Sequence, residues 1–139
     1  MSDVKGDNYT KFDSPTMRAL LGAEWKGKVR AIYDTYECAS LAAGSTIKVG
    51  KLRKDEVFLT GWVIADDLSS AGTLALGDGT TADKYLAATV FTTAGQVTQA
   101  AAIGGVGDKA TADKDIILTT ATEEMIGTIK VVLLIAAPN

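Results

Sequence analysis

The residues best placed to do chemistry are four carboxylates, Asp66-Asp67, Asp78 and Asp83, which lie within one short stretch of the chain. Oxygen ligands of this kind are what a calcium ion takes. Their spacing is not that of a calcium loop, however, and each stands where a turn is expected, so they read as turn formers. Glu123-Glu124 likewise reads as a solvated turn ahead of a strand. The chain contains no histidine, which removes the usual general base and the commonest metal ligand. Ser-His-Asp and Cys-His arrangements are therefore excluded, and with one cysteine so are ordinary zinc sites. The run Ile103-Gly104-Gly105-Val106-Gly107-Asp108-Lys109-Ala110-Thr111 has the look of a phosphate-binding loop. Its lysine is followed by alanine where Ser or Thr should hold magnesium, and no helical pattern follows, so it reads as a glycine-rich loop between strands. Paired carboxylates for sugar hydrolysis would need an aromatic-lined groove. The nine aromatics are scattered instead, and Trp25 and Trp62 read as packing anchors. No catalytic, cofactor-binding or metal-binding residue is expected, and the chain is not read as an enzyme.

The elements that could position such groups are strands. The 139 residues fit one domain with a core large enough to stand alone. Ala (21), Thr (17) and Gly (14) dominate, which suits tightly packed sheets better than a deep pocket. From Arg30 onward the patterning predicts eight strands: Arg30–Cys38, Thr46–Leu52, Glu56–Asp66, Thr73–Gly77, Tyr85–Phe91, Val97–Ile103, Asp115–Thr120 and Gly127–Ala136. Short Gly/Ser/Asp-rich turns separate them, and both prolines, Pro15 and Pro138, fall outside. The expected fold is an all-β, eight-stranded antiparallel β-sandwich over residues 30–139, with a jelly roll as the commonest such form. Two strands read as apolar on both faces. In Gly127–Ala136 the second half carries Val131, Val132, Leu133 and Leu134 in succession. In Glu56–Asp66, Val57, Leu59 and Val63 are assigned to one face and Phe58, Trp62 and Ile64 to the other. Such strands fit the middle of a sandwich or a sheet that meets a second subunit. Cys38 reads as a small buried apolar residue on a strand.

Residues 1–29 differ. Met1–Asp13 lacks apolar periodicity and reads as an extended arm. Ser14-Pro15 offers an N-cap and a first-turn proline, and Met17, Leu20, Leu21 and Trp25 follow at helical spacing, predicting one short amphipathic helical stretch. The net charge of −3 argues against a nucleic-acid partner. The basic groups concentrate early: Lys5, Lys11, Arg18, Lys26, Lys28 and Arg30 outnumber Asp3, Asp7, Asp13 and Glu24. A mildly basic arm on an acidic body suits contact with an acidic protein surface. The candidate contact residues are Lys5, Lys11, Met17, Arg18, Leu20, Leu21 and Trp25. Met1–Phe12 has no apolar core of a secretory leader, and the longest apolar run, Val131–Ala137, is far short of the ~20 residues of a membrane helix. The expectation is a protein made in the cytoplasm, with no membrane partner.

Several segments resemble the small capsid cement, or decoration, proteins of tailed bacteriophages and similar head-associated structural proteins. They are Gly27–Asp34 (GKVRAIYD), Leu74–Thr80 (LALGDGT), Asp83–Thr89 (DKYLAAT), Asp115–Thr119 (DIILT) and Gly127–Val132 (GTIKVV). The resemblance implies a jelly-roll sandwich on the outside of an icosahedral virion shell, bridging neighbouring major capsid protein subunits. It implies no active-site residues and no cofactor. Self-association is expected as well, a homodimer first because two-fold contacts are the commonest symmetric solution, with a trimer as the other option. A tail, baseplate or fibre protein, or a carbohydrate-binding sandwich module, are the alternatives that the residues leave open.

Overall fold

The computed structural model describes residues 28–137. They form eight strands: β1 (Lys28–Leu41), β2 (Thr46–Leu52), β3 (Val57–Ala65), β4 (Thr73–Gly77), β5 (Leu86–Val90), β6 (Gln96–Ala100), β7 (Lys114–Ala121) and β8 (Met125–Ala137). The described residues contain no helix. The predicted arm and the helical stretch around Met17–Trp25 lie outside the described residues.

The strands make two four-stranded antiparallel sheets. Sheet A has the order β1-β8-β3-β6 and sheet B the order β2-β7-β4-β5. The pairing is nested: β4 with β5, β3 with β6, β2 with β7 and β1 with β8. One long antiparallel hairpin with its tip at the β4–β5 turn is thus rolled up, and every other connection crosses from one sheet to the other.

Alternating apolar residues decide which side of each strand faces in. The shared core contains Phe58, Val63, Leu74, Leu76, Phe91, Ile116, Leu118, Met125, Ile129, Leu133 and Ile135, all buried. Each such side chain contributes about 1.5–3 kcal/mol on leaving water. Phe58 stacks on buried Tyr85 with ring centroids 4.3 Å apart. Burial, together with the nearby Asp78 charge, pushes the Tyr85 phenol up to about 12. Cys38 is buried on β1 as expected. Thr120 is the polar residue deepest in sheet B. Its hydroxyl donates to the Ala42 carbonyl and accepts from the Ser45 amide, each at 3.0 Å, pinning the β1–β2 turn.

Two expectations need correction. The register between β3 and β8 shifts between Phe58 and Thr60. This extra residue rotates the strand, so Phe58 shares the inward face with Val63 while Leu59 is exposed. Strict alternation alone assigns Phe58 to the face of Trp62 and Ile64. The sixth strand was expected to run to Ile103, yet β6 ends at Ala100 and Ile103 is fully exposed in the following turn. The reason is competition for β3. Beyond Gly61, which pairs with Ala100, the β3 backbone turns to other partners: Val57 bridges Lys109, and the Phe58 carbonyl accepts the Gly107 amide.

Candidate interaction surface

The seven contact residues expected from the sequence, Lys5, Lys11, Met17, Arg18, Leu20, Leu21 and Trp25, lie outside the described residues. The described body offers a different surface, the outward side of sheet A. Residues paired across an antiparallel ladder point to the same side. Registers in sheet A therefore place Tyr33, Val132, Trp62 and Gln99 in one outward row. Beside it run the rows Ala31–Leu134–Thr60, Val29–Ala136–Val57 and Thr35–Lys130–Ile64–Val97. Tyr33 is 80% exposed, Val29 59% and Val97 57%. Trp62, Ile64, Val132 and Leu134 are half-buried among their neighbours. Exposed Lys130, Thr35 and Glu37 supply polar groups toward one end, and Gln99 does so at the β6 edge. An apolar centre bordered by polar groups is the composition of a protein–protein contact. Trp62, expected to anchor packing, belongs to this outward face.

Sheet B turns a different side outward. Its exposed positions include Thr46, Lys48 and Lys51 of β2, flanked by Asp115 and Thr119 of β7. Lys48 and Asp115 form an ion pair at 3.2 Å. Ile117, paired with Lys48, and Val90, paired with Thr73, share that side, so it mixes polar and apolar groups.

The two sheets are tied at one edge by charge. Arg30 of β1 donates from Nε to Glu56 Oε2 at 2.7 Å and from Nη2 to Glu56 Oε1 at 2.9 Å, and also to the Lys51 carbonyl of β2 at 2.7 Å. The Arg53 amide donates to the same carboxylate at 2.7 Å. The Arg30 hydrogen bonds hold the Glu56 carboxyl below its usual range; burial opposes this and the Arg53 amide assists it. The fork aligns β1 with the β2–β3 turn and leaves Glu56 buried yet fully engaged.

Two of the carboxylates first considered for chemistry, Asp78 and Asp66, accept backbone amides. Asp78 Oδ1 accepts the amides of Thr80 and Thr81 at 2.8 and 2.7 Å, and Asp66 Oδ2 accepts the Thr128 amide at 3.0 Å. Glu123 accepts the Ala71 amide and the Ser70 hydroxyl. Among the described residues, no three acidic or cysteine side chains converge as a metal site would require. In the turn after β6, the amides of Gly105, Gly107 and Asp108 donate to protein carbonyls. They are not turned toward a phosphate, in keeping with the loop reading of that glycine run.

No protein-family model matches the chain, and a search of curated proteins gives no match. Solved structures do match in fold. A chain in the cyanophage Pam1 capsid asymmetric unit superposes with a TM-score of 0.71 at 20% identity, covering 91% of this chain and 99% of that one. A chain in the capsid of Ralstonia phage GP4 gives 0.66 at 24% identity, covering 81% and 86%. One in the acid-stable capsid of Helicobacter pylori bacteriophage KHP30 gives 0.61 at 11% identity, covering 80% and 89%. At these identities the likeness is one of fold.

Proposed function

We propose that this chain is a structural protein of a phage virion that decorates the outer surface of the head and clamps neighbouring major capsid protein subunits. The observation that carries the reading is a fold shared, over most of both chains, with chains from three phage capsids. We read the nested 1-8-3-6 and 2-7-4-5 strand order as a jelly roll. The apolar outward side of sheet A supplies adhesive surface of the kind a clamp needs. A contact of about 800 Å² per partner, repeated over a shell, gives high avidity even when each copy binds weakly. The arm carrying Met17, Leu20, Leu21 and Trp25, with Lys5, Lys11 and Arg18 beside acidic surface, adds a second attachment in this reading.

The experiment is co-sedimentation of the purified chain with undecorated phage shells. Binding should saturate at a fixed ratio to major capsid protein. A chain that stays in the supernatant at every shell concentration rules the clamp out. Removal of residues 1–25 should keep β-type circular dichroism and weaken shell binding. Unchanged binding would confine the contact to the β-body.

A further inference from the structure

At the end of β4 the Asp78 carboxylate is buried, its side chain 1% exposed. Oδ1 takes two backbone amides, while Oδ2 faces two ammonium groups, Lys84 Nζ at 3.3 Å and Lys114 Nζ at 3.5 Å. One carboxylate needs one cation, and this one holds two. Both lysines are half-buried and both line a pocket of about 340 Å³ that Lys109, Thr111, Asp108 and Gly105 also line. The pocket lining carries Lys84, Lys109, Lys114 and Asp108, and Asp78 pairs with two of those lysines, which leaves one positive charge in excess.

We propose that this pocket binds a small oxyanion, of the phosphate or carboxylate class, held between Lys84 and Lys114 with Lys109 adding the third positive charge. Two like charges sharing one counter-charge repel one another in a partly desolvated site, and a second anion relieves that repulsion. Each ammonium carries three donors, so contact with Asp78 leaves donors for a ligand. The charge comes from side chains, because the glycine-rich turn spends its amides on carbonyls. That turn has another part to play. A Cβ on Gly105 would fall 2.5 Å from the Lys84 carbonyl oxygen and 2.6 Å from Lys84 Cγ. The missing side chain lets the turn press on Lys84 and restrict its stem, which lowers the ordering cost of binding.

The test titrates phosphate and, separately, acetate into the full-length chain while amide resonances are followed by NMR, with chloride at matched ionic strength as control. Saturable shifts at Gly105, Lys109 and Thr111 are expected with phosphate or acetate, and their relative affinities identify the preferred oxyanion. Lys114→Gln should weaken that binding about tenfold, the worth of one hydrogen bond to a charged group. Equal shifts with chloride, or unchanged affinity in Lys114→Gln, would overturn the proposal. If that variant fails to fold, Lys109→Gln decides. It removes a pocket charge that has no bond to Asp78, and it should weaken binding severalfold; unchanged affinity overturns the proposal equally.

Discussion

The two sheets bury the same kind of inward face and differ outward, where sheet B carries more charge and sheet A more large apolar groups. Sheet B presents Thr46, Lys48, Lys51 and Thr119 to water, while sheet A presents Val29, Tyr33, Trp62, Ile64, Val97, Val132 and Leu134. A sandwich needs only one apolar face per sheet to fold. The second apolar face on sheet A is not used by the core between the two sheets, and the proposed clamp rests on it. The same asymmetry runs through the polar fixings. The end of sheet B is held by the buried Asp78 with its amides and lysines, whereas across the middle of sheet A the side-chain hydrogen bonds are the neutral ones of Thr60 with Gln99 and the Ala100 carbonyl.

Adjacent positions on β8 offer the most severe way to break this contrast. Leu133 is fully buried and Leu134, its neighbour, faces outward. Leu133→Ala should cost about 3–4 kcal/mol in urea denaturation, from lost transfer energy plus a cavity. Leu134→Ala should cost about 1 kcal/mol or less. Equal losses would mean that the outward face is core.

Next in size is an effect on binding. Trp62→Asp on sheet A should lower shell affinity at least thirtyfold, roughly 2 kcal/mol, as expected when an aromatic anchor is replaced by a charge. Thr119→Asp on sheet B should leave affinity within about twofold. If the two variants bind alike, the clamp does not use sheet A.

Acid should separate the sheets as well. Burial by itself would raise the Asp78 pKa, but the Thr81 and Thr80 amides, the Lys84 hydrogen bond and the Lys114 charge outweigh it and hold the group at about 2, against an ordinary 3.8. The folded pKa is depressed, so its stabilisation is present above the ordinary value and is lost as pH falls through about 2. Asp78→Asn should then cost about 2 kcal/mol at neutral pH. The gap between variant and parent should close between pH 4 and pH 2. Hydrogen exchange should speed up at β4 and β5 across the same interval, before the centre of β8 responds. A gap independent of pH would remove the assigned role of the Asp78 charge.

The smallest expected effect is at the exposed pair on sheet B. Lys48 is 72% exposed and Asp115 38%, so Lys48→Gln should change stability by no more than about 0.5 kcal/mol, less still in high salt. A larger loss would show that this pair is not simply solvated.

Strand positions were legible because turns and period-two patterning are local. β2 and β4 start and stop where the residues alone place them, at Thr46–Leu52 and Thr73–Gly77. β1 already includes Lys28 and Val29 ahead of the expected Arg30, and it runs on to Leu41 past the expected Cys38. What was not legible depends on distant partners. The face of Phe58 is set by a bulge against β8, and the end of β6 by where β3 takes other partners. Arg30 and Glu56 are 26 positions apart, and nothing in their neighbours in sequence announces the fork. The outward apolar face was half visible, since Val131–Leu134 leaves no polar side to that strand. Its extent across Tyr33 and Val97 needed the strand order. The Lys84–Asp78–Lys114 cluster had no signal beyond its charges, because its members come from two strand ends and a turn.

The nested pairing also sets a timetable for synthesis. Of the eight described strands β1 is made first, yet its ladder partner is β8, the eighth. The β4–β5 hairpin can close locally, whereas β1 must wait across the whole body for its pairing, and distant pairings of this kind slow folding. Throughout that wait Ile32 and Cys38 have no sheet to cover them. During synthesis β1 therefore lacks its ladder partner for as long as β2 to β8 take to appear, and a truncated product lacking β8 would keep that strand open to association.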